Sequence, residues 1–157
     1  MTGIKKYKSL DDFMQRCNLD DNVSEGYGYL YVIEYGERVK IGCTIHIITR
    51  IATHARNARV YANTSIGRIA ISPLLPYIYT YENILHRAFA DKRISVKGEI
   101  FDASFDDCVE ALRGMNSILH DPPEQMEFEF RKHHKNKHRF GENFRLKNTI
   151  SQLYQKG

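Results

Sequence analysis

Tyr29-Leu30-Tyr31-Val32-Ile33 leads, past the polar turn Tyr35-Gly36-Glu37-Arg38, into Val39-Lys40-Ile41-Gly42. Aromatic and β-branched residues on both sides of a Gly-bearing turn predict a β-hairpin over about residues 27–43. Polar side chains then recur at helical spacing. His46, Arg50 and His54 stand four apart, beside an apolar stripe of Ile47, Ile51, Ala55 and Ala58. That spacing predicts a helix capped by Thr44 and fading near Arg59. A hairpin with a Tyr and a Lys, next to a helix with an Arg and a His, is suited to cleaving a phosphoester.

Outward from this stretch the elements are shorter. Ser9-Leu10-Asp11-Asp12 reads as a capping box that opens a helix through Cys17, ended by Asp20-Asp21-Asn22. Residues 61–67 read as loop, and Arg68-Ile69-Ala70-Ile71-Ser72 as a third strand, after which Pro73 and Pro76 break the chain. A helix is expected from Thr80 to Lys92, with Ile84, Leu85, Ala88 and Phe89 facing inward. Ser104-Phe105-Asp106-Asp107 is a second capping box, opening a helix to Leu119, and Asp121-Pro122-Pro123 marks a boundary. The order fits an α/β (α+β) fold: a small three-stranded, mainly antiparallel sheet flanked by helices. It divides the chain into an N-terminal helical extension (1–24), a central domain (25–120) and a C-terminal arm (121–157).

A length of 157 residues suits one domain plus an appendage. No apolar run approaches the roughly 18 residues that span a bilayer, which argues against a membrane protein. The N-terminus has no apolar signal core. Cys17, Cys43 and Cys108 are scattered without metal-type spacing, as expected for reduced thiols in the cytoplasm. The net charge of +4 hides an asymmetry: from Arg131 on, eight Lys or Arg face one Glu. Arg131, Lys132, Lys135, Lys137 and Arg139 make the arm a handle for a polyanion such as nucleic acid, and His133, His134 and His138 read as part of it.

In order and spacing these residues resemble the GIY-YIG nuclease superfamily, in its T5orf172 or MUG113-like branch. Leu30-Tyr31 stands at the end of the GIY motif, with Tyr29 in place of its Gly. Lys40-Ile41-Gly42 stands for YIG, with Lys in place of Tyr. Arg50, ten residues beyond Lys40, and His54, one turn later, keep the family's spacing. Tyr81-Glu82-Asn83-Ile84-Leu85-His86 is similar to the helix that carries the family's metal-binding Glu. Gly98-Glu99-Ile100-Phe101 is similar to the branch's GE-aromatic-F segment. The resemblance covers roughly residues 27–112.

The resemblance implies an endonuclease that uses Mg²⁺ or Mn²⁺ to hydrolyse DNA, with RNA as the other candidate substrate. By family distribution it implies a virus- or bacterium-encoded enzyme acting in the cytoplasm. It assigns catalysis to Tyr31, Lys40, Arg50 and His54, and metal binding to Glu82. Tyr29, on the strand face of Tyr31, is a cleft candidate, as is Glu99; His86, four residues beyond Glu82 on the same face, reads as a structural hydrogen-bonding residue with the cleft as the alternative. Glu99 stands in for the Asn that many members carry. The chemistry is coherent: one carboxylate suits a Mg²⁺ that keeps most of its waters, and a guanidinium fits a phosphate bidentately. Tyr31 is the expected proton acceptor, its phenolate favoured by Lys40, and His54 orients water or relays the proton. Two other classes fit the same residues. One is a catalytically inactive nucleic-acid-binding module of this fold, which the Tyr29 and Lys40 departures permit. The other is a protein-interaction or inhibitor domain whose charge asymmetry serves an acidic partner. Oligomeric state is not legible.

Overall fold

The computed structural model describes residues 3–94 and 99–119, apart from the side chains of 116–119. Gly98, the boundary at Asp121-Pro122-Pro123 and the arm with Arg131, Lys132, Lys135, Lys137 and Arg139 lie outside the described residues.

The hairpin forms as expected. β2 (Tyr27–Tyr35) and β3 (Arg38–Thr44) pair antiparallel from Tyr29↔Thr44 to Tyr35↔Arg38. Gly36 turns between them at φ +64°, a backbone conformation that costs glycine nothing. β4 (Ile66–Ile71) pairs with the other edge of β2. Beyond these three expected strands, β1 (Lys5–Tyr7) adds to β4 and β6 (Ile100–Phe101) adds to β3. β5 (Leu75–Pro76) pairs with the start of β2. The sheet order is β1-β4-β2-β3-β6, antiparallel at every pairing. The expectation of three strands is thus corrected. Each added strand has two or three residues, too few to show a period-two pattern.

Four helices cover the sheet: α1 (Leu10–Arg16), α2 (Ile47–Tyr61), α3 (Ile78–Ala88) and α4 (Phe105–Leu119). Both serines cap as expected, Ser9 Oγ accepting from the Asp12 N–H at 3.1 Å and Ser104 Oγ from the Asp107 N–H at 3.0 Å, while the Asp12 carboxylate accepts from the Lys8 N–H rather than closing the box on Ser9. Two helix starts differ from expectation. Thr44 Oγ1 accepts from the His46 N–H, and the first free N–H groups of α2, on Ile48 and Thr49, donate instead to Asp21 Oδ1 at 2.7 and 3.1 Å. α3 begins two residues before Thr80, after Tyr77 in a left-handed conformation, and gives way past Ala88 to a 3₁₀ turn over Ala90–Lys92.

β2 is buried on both faces, which explains its nearly continuous apolar run. Leu30 and Val32, with Val39 and Ile41, pack against α3 and α4 through Tyr81, Leu85, Leu112 and Met115. Tyr29, Tyr31 and Ile33, with Ile69 and Ile71, pack against α1 and α2 through Phe13, Ile47 and Ile51. Each fully buried Ile or Leu stabilises this arrangement by about 1.5–3 kcal/mol. β6 covers β3 only at Val39 and Lys40, and Ile41 donates its N–H to the Glu99 carbonyl at 2.9 Å. Past that point β3 pairs only with β2 among the described residues, and chemistry-bearing side chains gather at that end.

Candidate active site

Tyr31 faces Gly42 across the hairpin. A Cβ on Gly42 would lie only 2.6 Å from the phenol Cζ and 2.8 Å from Glu99 Oε2. Only a glycine there lets the ring of Tyr31 cross β3 and reach Glu99. The phenol donates to Glu99 Oε2 at 3.1 Å and lies 2.8 Å from His54 Nε2. Tyr31 is fully buried and His54 is 5% exposed. Burial, followed by the charge of Glu99, holds the phenol far above the ordinary tyrosine range, with Arg50 pulling the other way. Burial pushes the His54 imidazole down to about 3, the Lys40 and Arg50 charges adding to it, so the ring is neutral at physiological pH.

Arg50 is exposed on α2, one turn before His54. Its charge reaches Tyr31, Lys40, Cys43 and His54. The Lys40 ammonium stands over the Tyr35 ring at 5.1 Å, and burial pushes its pKa down while Glu99 draws it up. The Arg50 charge favours a Tyr31 phenolate, against burial and the charges of Glu99 and Glu82.

Glu82 reaches the same end of β3 from α3, its side chain 17% exposed. Burial pushes its carboxyl up to about 7 and the charge of Glu99 adds to this, against hydrogen bonds from Cys43 and the charge of Arg93. The Cys43 thiol is in turn pushed up, by burial first and then by Glu82. His86, one turn along α3, bonds the Ile41 carbonyl through Nε2 at 2.8 Å and packs on Phe101, with Nε2 3.9 Å from Glu82 Oε1. Tyr29 lies apart from this group, buried in the cluster with Phe13 and Ile47, and it feels Asp20 rather than Glu82. Tyr31, Lys40, Arg50, His54, Glu82 and Glu99 are thus joined in one chain of electrostatic contacts, running through Tyr31, Arg50 and Glu99, and His86 braces the strand beneath Glu82. The bond between Tyr31 and Glu99, the thiol of Cys43 on Glu82, and the cap from Asp21 had no signal in the sequence, because each joins distant segments.

The T5orf172 domain family matches residues 28–116, more than half of the chain. The chain belongs to this family. Among curated proteins and among solved structures, nothing matches it. The T5orf172 match runs from β2 into α4 and takes in every one of the gathered residues, leaving out β1 and α1. T5orf172 domains are GIY-YIG-like and nuclease-related, which agrees with the resemblance carried by Tyr31, Lys40, Arg50, His54 and Glu82.

Among the described residues, no three or more His, Cys, Asp or Glu are grouped to hold an ion. A buried carboxyl at about 7 with a second carboxylate near it is a concentration of hard oxygen that a divalent cation neutralises. The set fits a largely hydrated Mg²⁺ or Mn²⁺ held through Glu82, not a closed zinc cage of nitrogen and sulfur. None of the described helices is long and apolar enough to cross a membrane.

Proposed function

We propose that the chain is a divalent-metal-dependent endonuclease that hydrolyses DNA phosphodiester bonds. The observation that carries this reading is that an exposed guanidinium, Arg50, and a carboxyl raised by burial, Glu82, both act on Tyr31 and on Cys43 at one end of the hairpin. Glu82 would hold Mg²⁺ or Mn²⁺, which when bound supplies positive charge to a phosphate oxygen. Arg50 presents two parallel N–H donors to non-bridging oxygens and offsets the charge that builds there during in-line attack. Lys40 adds a second cation to the same wall. His54, neutral and buried, fixes the phenol of Tyr31. The arm with Arg131, Lys132, Lys135, Lys137 and Arg139 contributes phosphate contacts that raise affinity without selecting sequence.

The test is incubation of purified protein with supercoiled plasmid and Mg²⁺ or Mn²⁺, comparing wild type with Glu82→Ala and Arg50→Ala. Cleavage that both substitutions abolish supports the reading. Cleavage that neither alters removes the site assignment. A second reading, a nucleic-acid-binding module without catalysis, draws on the complete burial of Tyr31, and predicts DNA binding with no cleavage. DNA affinity insensitive to salt would instead favour a protein-interaction or inhibitor domain.

A further inference from the structure

We infer that Glu99 is the group that takes the proton from the attacking water, and that Tyr31 is its positioning residue. This deepens the nuclease reading and rests on it. Four observations carry it. Tyr31 has no exposed surface, and its hydroxyl is already engaged by two partners, whereas Glu99 is partly exposed. The Glu99 backbone is anchored by the Ile41 N–H at 2.9 Å, so the carboxylate is held at the β3 edge from its own main chain. The phenol binds only one carboxylate oxygen, Oε2. Gly42 supplies the space in which this contact is made.

The hydrogen-bond chain also has a definite direction. A carboxylate only accepts, so the single hydroxyl proton of Tyr31 goes to Glu99. The phenol oxygen must then accept from His54, which requires the proton on Nε2 and leaves Nδ1 bare. His54 Nδ1 is the buried ring nitrogen with no partner among the described residues. The chain His54→Tyr31→Glu99 therefore holds the phenol as a donor, in the wrong state to accept a proton, and aims the carboxylate. Among the described residues, charged or titratable groups that interact with Glu99 include Tyr31 from β2, Lys40 and Cys43 from β3, and Glu82 and His86 from α3, with Arg50 and His54 from α2 adjoining through Tyr31 and Arg93 acting on Glu82 and His86.

The step balances without a further reactant. The water oxygen forms the new bond to phosphorus as its proton passes to the Glu99 carboxylate. The ester P–O bond opposite breaks, its electron pair stays on the leaving oxygen, and that oxygen takes a proton from solvent. Glu99 then returns its proton to solvent.

The test compares Glu99→Gln, Glu99→Asp, Glu99→Ala and Tyr31→Phe in plasmid cleavage against pH, alongside ¹⁵N NMR of His54 in the wild type. Expected are a loss of about a hundredfold or more in Glu99→Gln, partial retention in Glu99→Asp, and recovery of Glu99→Ala by added formate. Tyr31→Phe should lose less than Glu99→Gln and keep the acid limb of the pH profile, and His54 should carry its proton on Nε2. A Tyr31→Phe variant as impaired as Glu99→Gln, with no recovery by formate, overturns the assignment. So does a proton on His54 Nδ1, a readout that needs no activity. Failure of the nuclease reading is recognised separately, by cleavage that Glu82→Ala and Arg50→Ala leave unchanged.

Discussion

Arg68 and Arg50 are both exposed arginines, and their surroundings differ in kind. Arg68 forms a fork with Glu34, Nε to Oε1 at 2.9 Å and Nη2 to Oε2 at 3.0 Å, while its Nη1 reaches Asp106 at 3.3 Å. Its guanidinium also lies over the Phe105 ring at 4.6 Å. The hydrogen bonds from Arg68 lower the Glu34 carboxyl, so each charge there favours the ionised form of the other. Around Arg50 the balance is reversed. Glu82 is pushed up, Lys40 and His54 are pushed down, and Arg50 has no ion pair among the described residues. The same chain pairs its charges where they hold α4 to β4, and leaves them perturbed where the proposed phosphate and cation would bind. Perturbed groups of this sort cluster at functional sites, where burial and neighbouring charges are set against the ionised form.

The contrast breaks most plainly in activity. Glu82→Gln and Arg50→Ala should each lower plasmid cleavage by about a hundredfold or more, and the exposed Arg50→Ala should move the urea midpoint by no more than about 0.5 kcal/mol equivalent, while Glu82→Gln should not lower stability at neutral pH. A large loss of stability in either variant would place that residue with Arg68 as a structural group. Gly42→Ala comes next in size. Its new methyl collides with the buried phenol, so the fold should lose about 1–3 kcal/mol in urea titration; an unchanged midpoint would mean that Tyr31 can leave its slot.

Stability against pH sharpens the comparison further. The unfolded His54 binds a proton near pH 6.5 and the folded one only near 3, so stability should fall as pH drops through that window. The slope is at most about 1.4 kcal/mol per pH unit. Glu82 acts in the opposite sense: folded it keeps its proton up to about 7, unfolded only to 4.5, so stability is lost as pH rises from 4.5 to 7. His54→Asn should flatten the first slope and Glu82→Gln the second, as read from urea midpoints across pH. The smallest effect belongs to the paired cluster. Glu34→Ala should cost about 0.2–1 kcal/mol, as a partly exposed ion pair does, and leave cleavage as in wild type.

Much of the centre was legible because it is local. The hairpin from Tyr27 onward, the helix from Ile47 to Tyr61 and the two serine caps follow from spacing over a few residues, which is the range where periodicity and capping operate. The edges were not. β1, β5 and β6 are too short to show a pattern, and they exist because a neighbouring strand offers free N–H and C=O groups. The start of α2 was misread for a related reason: its cap is the carboxylate of Asp21, supplied by chain folding rather than by sequence order. Family membership came through the same local motifs, whose order survives even where Tyr29 and Lys40 depart from them.

By itself the sequence determined which side chains this protein has to work with, and on which faces of hairpin and helix they begin, because side-chain direction along a strand or helix is set by backbone geometry alone. Tertiary structure alone decided their chemical condition. Tyr31 became a buried donor, Glu82 a carboxyl near 7, and Glu99 a partner of Tyr31 across 68 residues of chain. Desolvation and charge proximity depend on what packs nearby in space, and neither is written in the spacing of residues along the chain.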